Sequence, residues 1–485
     1  MIDGLHQSYF ACGTGGSFHS ATEGECAMPE KWPEAHQDGQ REAAPMLLAS
    51  CLALILSVAT GLAQQPEAPP QTGPQPDRAV SLADFADAVE DGDWAPALQA
   101  AIDSFASEDS TQVGGTLTIP PGVYPIARPV TLGTARGQWG LHIFGYGATL
   151  LGTEALDTYE MPEREPEEEP LGVPILIVHG MDGIEGGNFC IEGLTFDREN
   201  RGSGVGVSLP MGQGVAKNTT FRSIKVIGQG VGVHINYQWQ IFFAECMFRG
   251  NGRGMIIQNH GNNIGITNCT FRRNNYDGLV IGRDRGQWGS NAQHISGTIF
   301  EANKGYGLLL LTSAQTVVTG CYFEANGNHL GVMTPWETTI DTNLFWGYYG
   351  HGWRRNDFSD NACVVIRGAK RLQMRNNHYA AVSAWFRQPE DGGRWEYVPV
   401  PPGPAGVKET APPEPEQEAG FVYEQRPVAI MIDGTLSGDF VLDALPIVHQ
   451  DATVVTENIP SDRVLTYFGY NQAANQFEER SLLQQ

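Results

Sequence analysis

Between Cys246 and Asn326 one short phrase occurs four times: Cys246-Met247-Phe248-Arg249-Gly250-Asn251, Cys269-Thr270-Phe271-Arg272-Arg273-Asn274, Thr298-Ile299-Phe300-Glu301-Ala302-Asn303 and Cys321-Tyr322-Phe323-Glu324-Ala325-Asn326. Each copy contains Phe-x-x-Asn, and the phenylalanines follow one another at 23, 29 and 23 residues. A period this short, with three or four residues of strand pattern between turns, suits one coil of a parallel β-solenoid. Helical repeats need longer periods and a 3.6-residue pattern, which this stretch lacks. Stacked coils place Phe on Phe, Asn on Asn and Cys on Cys, one strand spacing of about 4.8 Å apart. Arg272 and Glu301 are then expected to meet across adjacent coils. The asparagines are read as a turn ladder whose amides bond from coil to coil.

The chain has 485 residues, 59 of them glycine, and a net charge of −25. Residues 1–63 hold seven acids and two bases, which leaves −20 on the remainder. Phosphate binding needs a basic surface, so nucleic acid is excluded as a partner. Residues 46–63 form an apolar run ending in Gly61-Leu62-Ala63, small residues suited to signal-peptidase cleavage. Met46 is a candidate start, no basic residue follows it, and a Pro/Gln-rich linker occupies 64–78. These features predict export to the periplasm, cell surface or medium, with no membrane span once the signal is removed. A retained N-terminal anchor is the alternative.

Five cysteines lie beyond the apolar run: Cys190, Cys246, Cys269, Cys321 and Cys363. Their odd number and equivalent coil positions predict inward, unpaired thiols. A Cys246–Cys269 disulfide is the alternative.

Upstream, Asp91-Gly92-Asp93-Trp94-Ala95-Pro96-Ala97-Leu98-Gln99-Ala100-Ala101-Ile102 predicts a helix with Asp93 as N-cap and an apolar face of Ala97, Leu98, Ala101, Ile102 and Phe105. Gly114-Gly115 and the strand-turn Thr116–Tyr124 follow. A helix here covers the open apolar end of a solenoid. At Asp91, Gly92, Ala97, Gln99, Ala101, Ile102, Gly114, Gly115, Pro121, Gly122 and Tyr124 the chain resembles the N-terminal part of the pectate-lyase-like superfamily, which contains tailspike-type and polygalacturonase-like β-helices. The resemblance covers some fifty residues and departs from the family pattern at Trp94-Ala95-Pro96. It implies an all-β, single-stranded right-handed parallel β-helix with an N-terminal capping helix, spanning 79–485. It also implies a carbohydrate-active protein. Two acidic, Pro-containing stretches, 157–170 and 399–418, are expected as surface insertions. Residues 427–485 are expected to form the last coils and a C-terminal cap.

Two coils are long. One carries Gly282–Gly289 and the other Trp346–Phe358, and together they are expected to wall a groove suited to an extended polymer. The floor has consecutive apolar residues (Met255–Ile257, Leu279–Ile281, Leu308–Leu311), so its outward face needs a cover: the second loop, a partner subunit, or stacked sugars. At the corner beside it we place a candidate carboxyl pair, Asp284 and Glu337, with Arg283 and Arg285 positioned to hold a uronate. His260, Trp288, Trp336, His351, Trp353 and Arg354 are the candidate substrate contacts. Hydrolysis uses two carboxyls. Elimination uses a base beside a neutralised acid, with Ca²⁺ or Arg as the neutralising group. Against this, Arg283-Asp284-Arg285 can simply bridge within its own loop. Gly350-His351-Gly352 matches the polygalacturonase Gly-His-Gly, but the companion motifs are missing, which makes His351 a loop residue. The sequence therefore leaves open a lyase, hydrolase or epimerase acting on an acidic polysaccharide, or a non-catalytic glycan-binding or structural β-helix, with self-association possible in either case.

Overall fold

Three short parallel strands and three tight corners make each coil. A computed structural model describes residues 78–107, 113–161, 171–180, 186–211, 214–282, 289–346, 363–380, 382–393, 396–398, 417–437, 441–444, 453–457, 466–471 and 476–481. Residues 1–77, with the segment expected to be a signal peptide and the linker, and most of the second acidic stretch lie outside the described residues. So does the 347–362 loop.

First strands stack as Thr219–Arg222, Ile241–Ala244, Gly265–Thr267, His294–Ser296 and Val317–Thr319. Second strands stack as Lys225–Ile227, Met247–Arg249, Thr270–Arg272, Ile299–Glu301 and Tyr322–Glu324. Third strands stack as Gln229–Asn236, Arg253–Gln258, Leu279–Ile281, Tyr306–Leu310 and Asn328–Val332. Every one of these pairings is parallel, as the repeat requires.

The corners are turned by single residues in the left-handed conformation. Before the first strand these are Gln240, Asn263, Ala292, Gln315, Glu337 and Arg371; between first and second they include Glu245, Asn268 and Thr342; between second and third they include Arg273, Ala302 and Ala325. Side chains disfavour this conformation. Here corner N–H groups bond carbonyls of the following coil, as in Asn268 to Ser296 (3.0 Å) and Ala302 to Glu324 (2.9 Å), and that ladder holds the strained turns.

The interior carries the predicted columns. Phe248, Phe271, Phe300, Phe323 and Phe345 stack with centroids 4.6–5.2 Å apart, and Tyr379 continues the pile. The asparagine amides form a chain: Asn274 Nδ2 donates to Asn303 Oδ1 (2.7 Å) and Asn303 Nδ2 to Asn326 Oδ1 (2.8 Å). Beside them Gly254 is obligatory, because a Cβ there would lie 2.4 Å from the Gly278 carbonyl oxygen and 2.7 Å from the Phe271 ring. Cys246, Cys269 and Cys321 point inward as free thiols that donate to backbone carbonyls. Cys363 is also a buried thiol, whereas Cys190 is free but lies on the outer face, flanking the inward Ile191. Arg272 and Glu301 meet at 3.0 Å on the surface.

The capping helix spans Ala95–Asp103, and Ala97, Leu98, Ala101, Ile102 and Phe105 join the same core as Leu117 and Ile119. Asp93 acts as expected although Trp94 occupies the formal cap. Its Oδ1 accepts from the Ala95 and Ala127 amides, both at 2.9 Å, and its Oδ2 pairs with Arg128.

Asp157, expected at the head of a solvated insertion, is instead anchored. It pairs with Arg198, whose side chain is fully buried and also bonds Gln229 Oε1 and the Val173 carbonyl. Ser203 and Asn200 complete the carboxylate's partners. A buried guanidinium needs this full set of acceptors to offset its lost hydration.

Toward the C-terminus, Val364–Ala380 and Phe421–Ser437 continue the parallel stacking, but Val382–Pro389 runs antiparallel to Phe421–Ser437, and Thr466–Asn471 pairs antiparallel with Gln476–Ser481. The coil pattern therefore gives way to antiparallel ribbons at this end. Among the described residues no helix is long and apolar enough to cross a membrane.

Candidate functional site

The corner preceding the first strand aligns one outward residue per coil. In register these are Trp239, Asn262, Asn291, Ala314, Trp336 and Lys370. Each is followed by the left-handed residue that turns the chain, so the outward side chains form a straight file along the helix axis. Trp239 and Trp336 stand four coils apart, about 19 Å at one strand spacing per coil.

Both tryptophans carry a cation. The Lys217 ammonium lies 5.2 Å from the Trp239 ring centre and the Lys370 ammonium 4.4 Å from that of Trp336. Such pairs hold the ring and the charge in one place. Trp336 is 43% exposed and Tyr237 38%, large apolar surfaces for residues with no inward role. Tyr237 packs edge-on against His260 (5.7 Å) and tilts toward Trp239 (6.2 Å). Behind the file, Gln238 and Gln293 are buried and donate to backbone carbonyls of the corner, Gln238 to Pro210 at 2.8 Å and Gln293 to Gly261 at 2.6 Å, which fixes the turn that presents each outward residue.

Of the candidate catalytic residues, only Glu337 lies among the described residues; Asp284, Arg283 and Arg285 do not. Glu337 occupies the left-handed corner position, where Arg371 one coil on bonds its Oε1 at 2.6 Å and Gln315 one coil back bonds its Oε2 at 3.4 Å. Its carboxylate is thus tied into a corner stack that was not legible in the sequence. Among the candidate contacts, His260 and Trp336 are described, whereas Trp288, His351, Trp353 and Arg354 fall outside. The two do not share a level. Trp336 sits in the file, while His260 comes two residues before its coil's file member, Asn262, because that coil turns through consecutive left-handed residues Asn259 and His260.

The apolar floor is buried as predicted. Ile256 and Val280 form a small outer cluster with Val205 and Val231, against which Leu171, Leu309 and Leu311 pack. Leu171 contributes to this cover from outside the repeat; the second loop lies outside the described residues.

Residues 185–377 match the family model described as right handed beta helix region. No curated protein matches the sequence. Solved structures with a similar chain path include the Azotobacter vinelandii mannuronan C-5 epimerase AlgE4 A-module, with 14% identity over 77% of this chain and 99% of that one, at a TM-score of 0.46. Geobacillus virus E2 ORF18 shares 13% identity over 91% and 90% (TM-score 0.45), and PfbA, a surface adhesin of Streptococcus pneumoniae, 13% over 82% and 94% (TM-score 0.42). The fold implied by the N-terminal resemblance is the one observed: this chain is a right-handed parallel β-helix protein.

Proposed function

We propose that the protein binds an extended acidic polysaccharide along the file from Trp239 to Trp336. The observation that carries this reading is the placing of two lysine-capped tryptophans on one straight outward column, with polar Asn262 and Asn291 between them. Aromatic faces accept the C–H faces of sugar rings, and the amides offer donors and acceptors to hydroxyls. Lys217 and Lys370 place positive charge along the file of a chain whose net charge is −25, which favours carboxylated sugars locally. A polymer of this kind is met outside the cytoplasm, in keeping with the export signal read at 46–63.

Chemistry on the bound polymer, whether by a lyase, hydrolase or epimerase, is the second reading. It rests on Glu337, whose side chain is 33% exposed beside Trp336, acting with Asp284. The Arg371 pair occupies that carboxylate, so binding is the function the geometry supports best.

Binding is tested by calorimetry with a panel of polyuronates and neutral glycans. Trp336→Ala and Trp239→Ala should each weaken polyuronate binding about tenfold, equivalent to 1.4 kcal/mol. Wild-type affinity in both variants, or no glycan bound at all, overturns the reading. In the same samples new reducing ends mark cleavage, ultraviolet-absorbing unsaturated ends mark a lyase, and altered uronate composition at constant chain length marks an epimerase. Any of these, abolished by Glu337→Gln, would promote the second reading.

A further inference from the structure

His142 and Cys190 lie opposite each other on adjacent coils of the first sheet, with Glu192 two residues along the same strand as Cys190. Leu141, Ile143 and Ile191 point into the core, so His142, Cys190 and Glu192 all stand on the outer face. Their potential ligand atoms lie within 4.8 Å of one another. We propose that these three residues bind a borderline-soft transition-metal ion of the zinc class, a site independent of the polysaccharide reading.

Three features support it beyond proximity. First, Nε2 of His142 is shielded from solvent and has no hydrogen-bond partner, although it sits 3.3 Å from Glu192 Oε2. An imidazole nitrogen shielded from solvent and close to a carboxylate without hydrogen-bond geometry is costly unless something else uses its lone pair. Second, the other carboxylate oxygen is already held: the Tyr146 hydroxyl donates to Glu192 Oε1 at 3.0 Å, leaving Oε2 aimed at the histidine. Outer contacts of this kind orient metal ligands. Third, the backbone is rigid, since all three ligands sit on paired strands and Ile191 between two of them is locked in the core.

The donor set decides the ion. One thiolate, one imidazole and one carboxylate suit Zn²⁺ or Co²⁺ and not Ca²⁺ or Mg²⁺, which take oxygen ligands. Tetrahedral bonds of about 2.0–2.3 Å place ligand atoms about 3.5 Å apart, so small side-chain rotations close the site. Three protein ligands leave a fourth position for water or an incoming donor. Thiolate, carboxylate and a dication sum to zero charge. Arg222 stands one coil beyond Glu192 in register, and its positive charge works against metal binding.

The test uses the full chain freed of any histidine tag. Titration with Co²⁺ should give an intense near-ultraviolet thiolate-to-cobalt band that saturates at one equivalent, and Zn²⁺ should displace it. Cys190→Ser should abolish the band, and His142→Gln and Glu192→Gln should each weaken Zn²⁺ by at least about tenfold, with Tyr146→Phe giving a smaller loss in the same direction. Melting of each variant in chelator, compared with wild type, keeps misfolding apart from loss of ligands. The proposal is overturned if wild type shows no thiolate band, or if the band and affinity survive in Cys190→Ser, which would place the metal on other cysteines or histidines of the chain.

Discussion

Replacing Asn303 by alanine should be among the most damaging single changes in this fold, and the loss can be worked out bond by bond. Asn303 is 0% exposed. Its Oδ1 accepts from the Asn274 backbone N–H (3.2 Å) and the Asn274 amide (2.7 Å), while its Nδ2 donates to the Phe271 carbonyl (3.0 Å) and to Asn326 Oδ1 (2.8 Å). Truncation removes all four. Asn274 Nδ2 keeps the Phe248 carbonyl and Asn326 Oδ1 keeps the Asn303 backbone, so those two groups are partly compensated. The Asn274 N–H is left buried and without that acceptor, at about 1–3 kcal/mol, and the remaining bonds contribute about 0.5–1.5 kcal/mol each. The expected destabilisation is roughly 3–5 kcal/mol. Urea unfolding with linear extrapolation measures it. Hydrogen exchange should show faster exchange at Asn274 before it appears in distant coils. Asn275→Ala, exposed and one residue after Asn274, serves as control and should stay within about 0.5 kcal/mol. If Asn303→Ala loses less than about 1 kcal/mol, the amide chain is decoration and the stacked rings alone hold the coils.

Two further outcomes are expected. Alkylation of denatured, unreduced protein should modify Cys190, Cys246, Cys269, Cys321 and Cys363 completely, and in native protein Cys190 should react first. Burial pushes the Cys321 thiol up to about 12 and raises Cys246 as well, so both are poor nucleophiles; a linked Cys246–Cys269 peptide in the mass spectrum would refute the free-thiol column. Burial also depresses His179 to about 4, so the folded protein refuses a proton that the unfolded chain accepts below about 6.5. Its contribution to stability is whole above pH 6.5 and is lost as pH falls toward 4. His179→Gln should therefore narrow the difference between denaturation midpoints at pH 7.5 and 4.5, and an unchanged difference would refute the assignment.

The coil was legible because Phe-x-x-Asn repeats with the period of the structure, and stacking turns that period into contacts. The Phe pile, the inward Cys246, Cys269 and Cys321, and the Arg272–Glu301 pair all follow from register alone. The corner preceding the first strand was not legible. Gln240, Asn263, Ala292, Gln315, Glu337 and Arg371 share a backbone conformation but no side-chain type, so no residue pattern marks the corner. Glu337, a candidate carboxyl in the sequence, is held at this corner by Arg371 at 2.6 Å. Arg198 with Asp157, and His142 with Cys190, are not legible in the sequence for another reason. Their partners are 41 and 48 residues away along the chain, and neither pair recurs from coil to coil. A repeat announces what it duplicates and hides what it holds once.

The asparagine chain also has a direction. Every side-chain link runs the same way, with the earlier residue donating through Nδ2 and the later one accepting through Oδ1, so the column must terminate on an acceptor. That terminus is His329: Asn326 Nδ2 meets its Nδ1 at 3.2 Å, and its Nε2 meets the Trp346 carbonyl at 2.9 Å. Nδ1 must offer a lone pair and Nε2 must carry the hydrogen, which fixes one tautomer of a buried ring. A second proton on that ring would set N–H against N–H at the column's end. The protonation state of a single imidazole is in this way dictated by amides that begin two coils before Asn326, at Asn274.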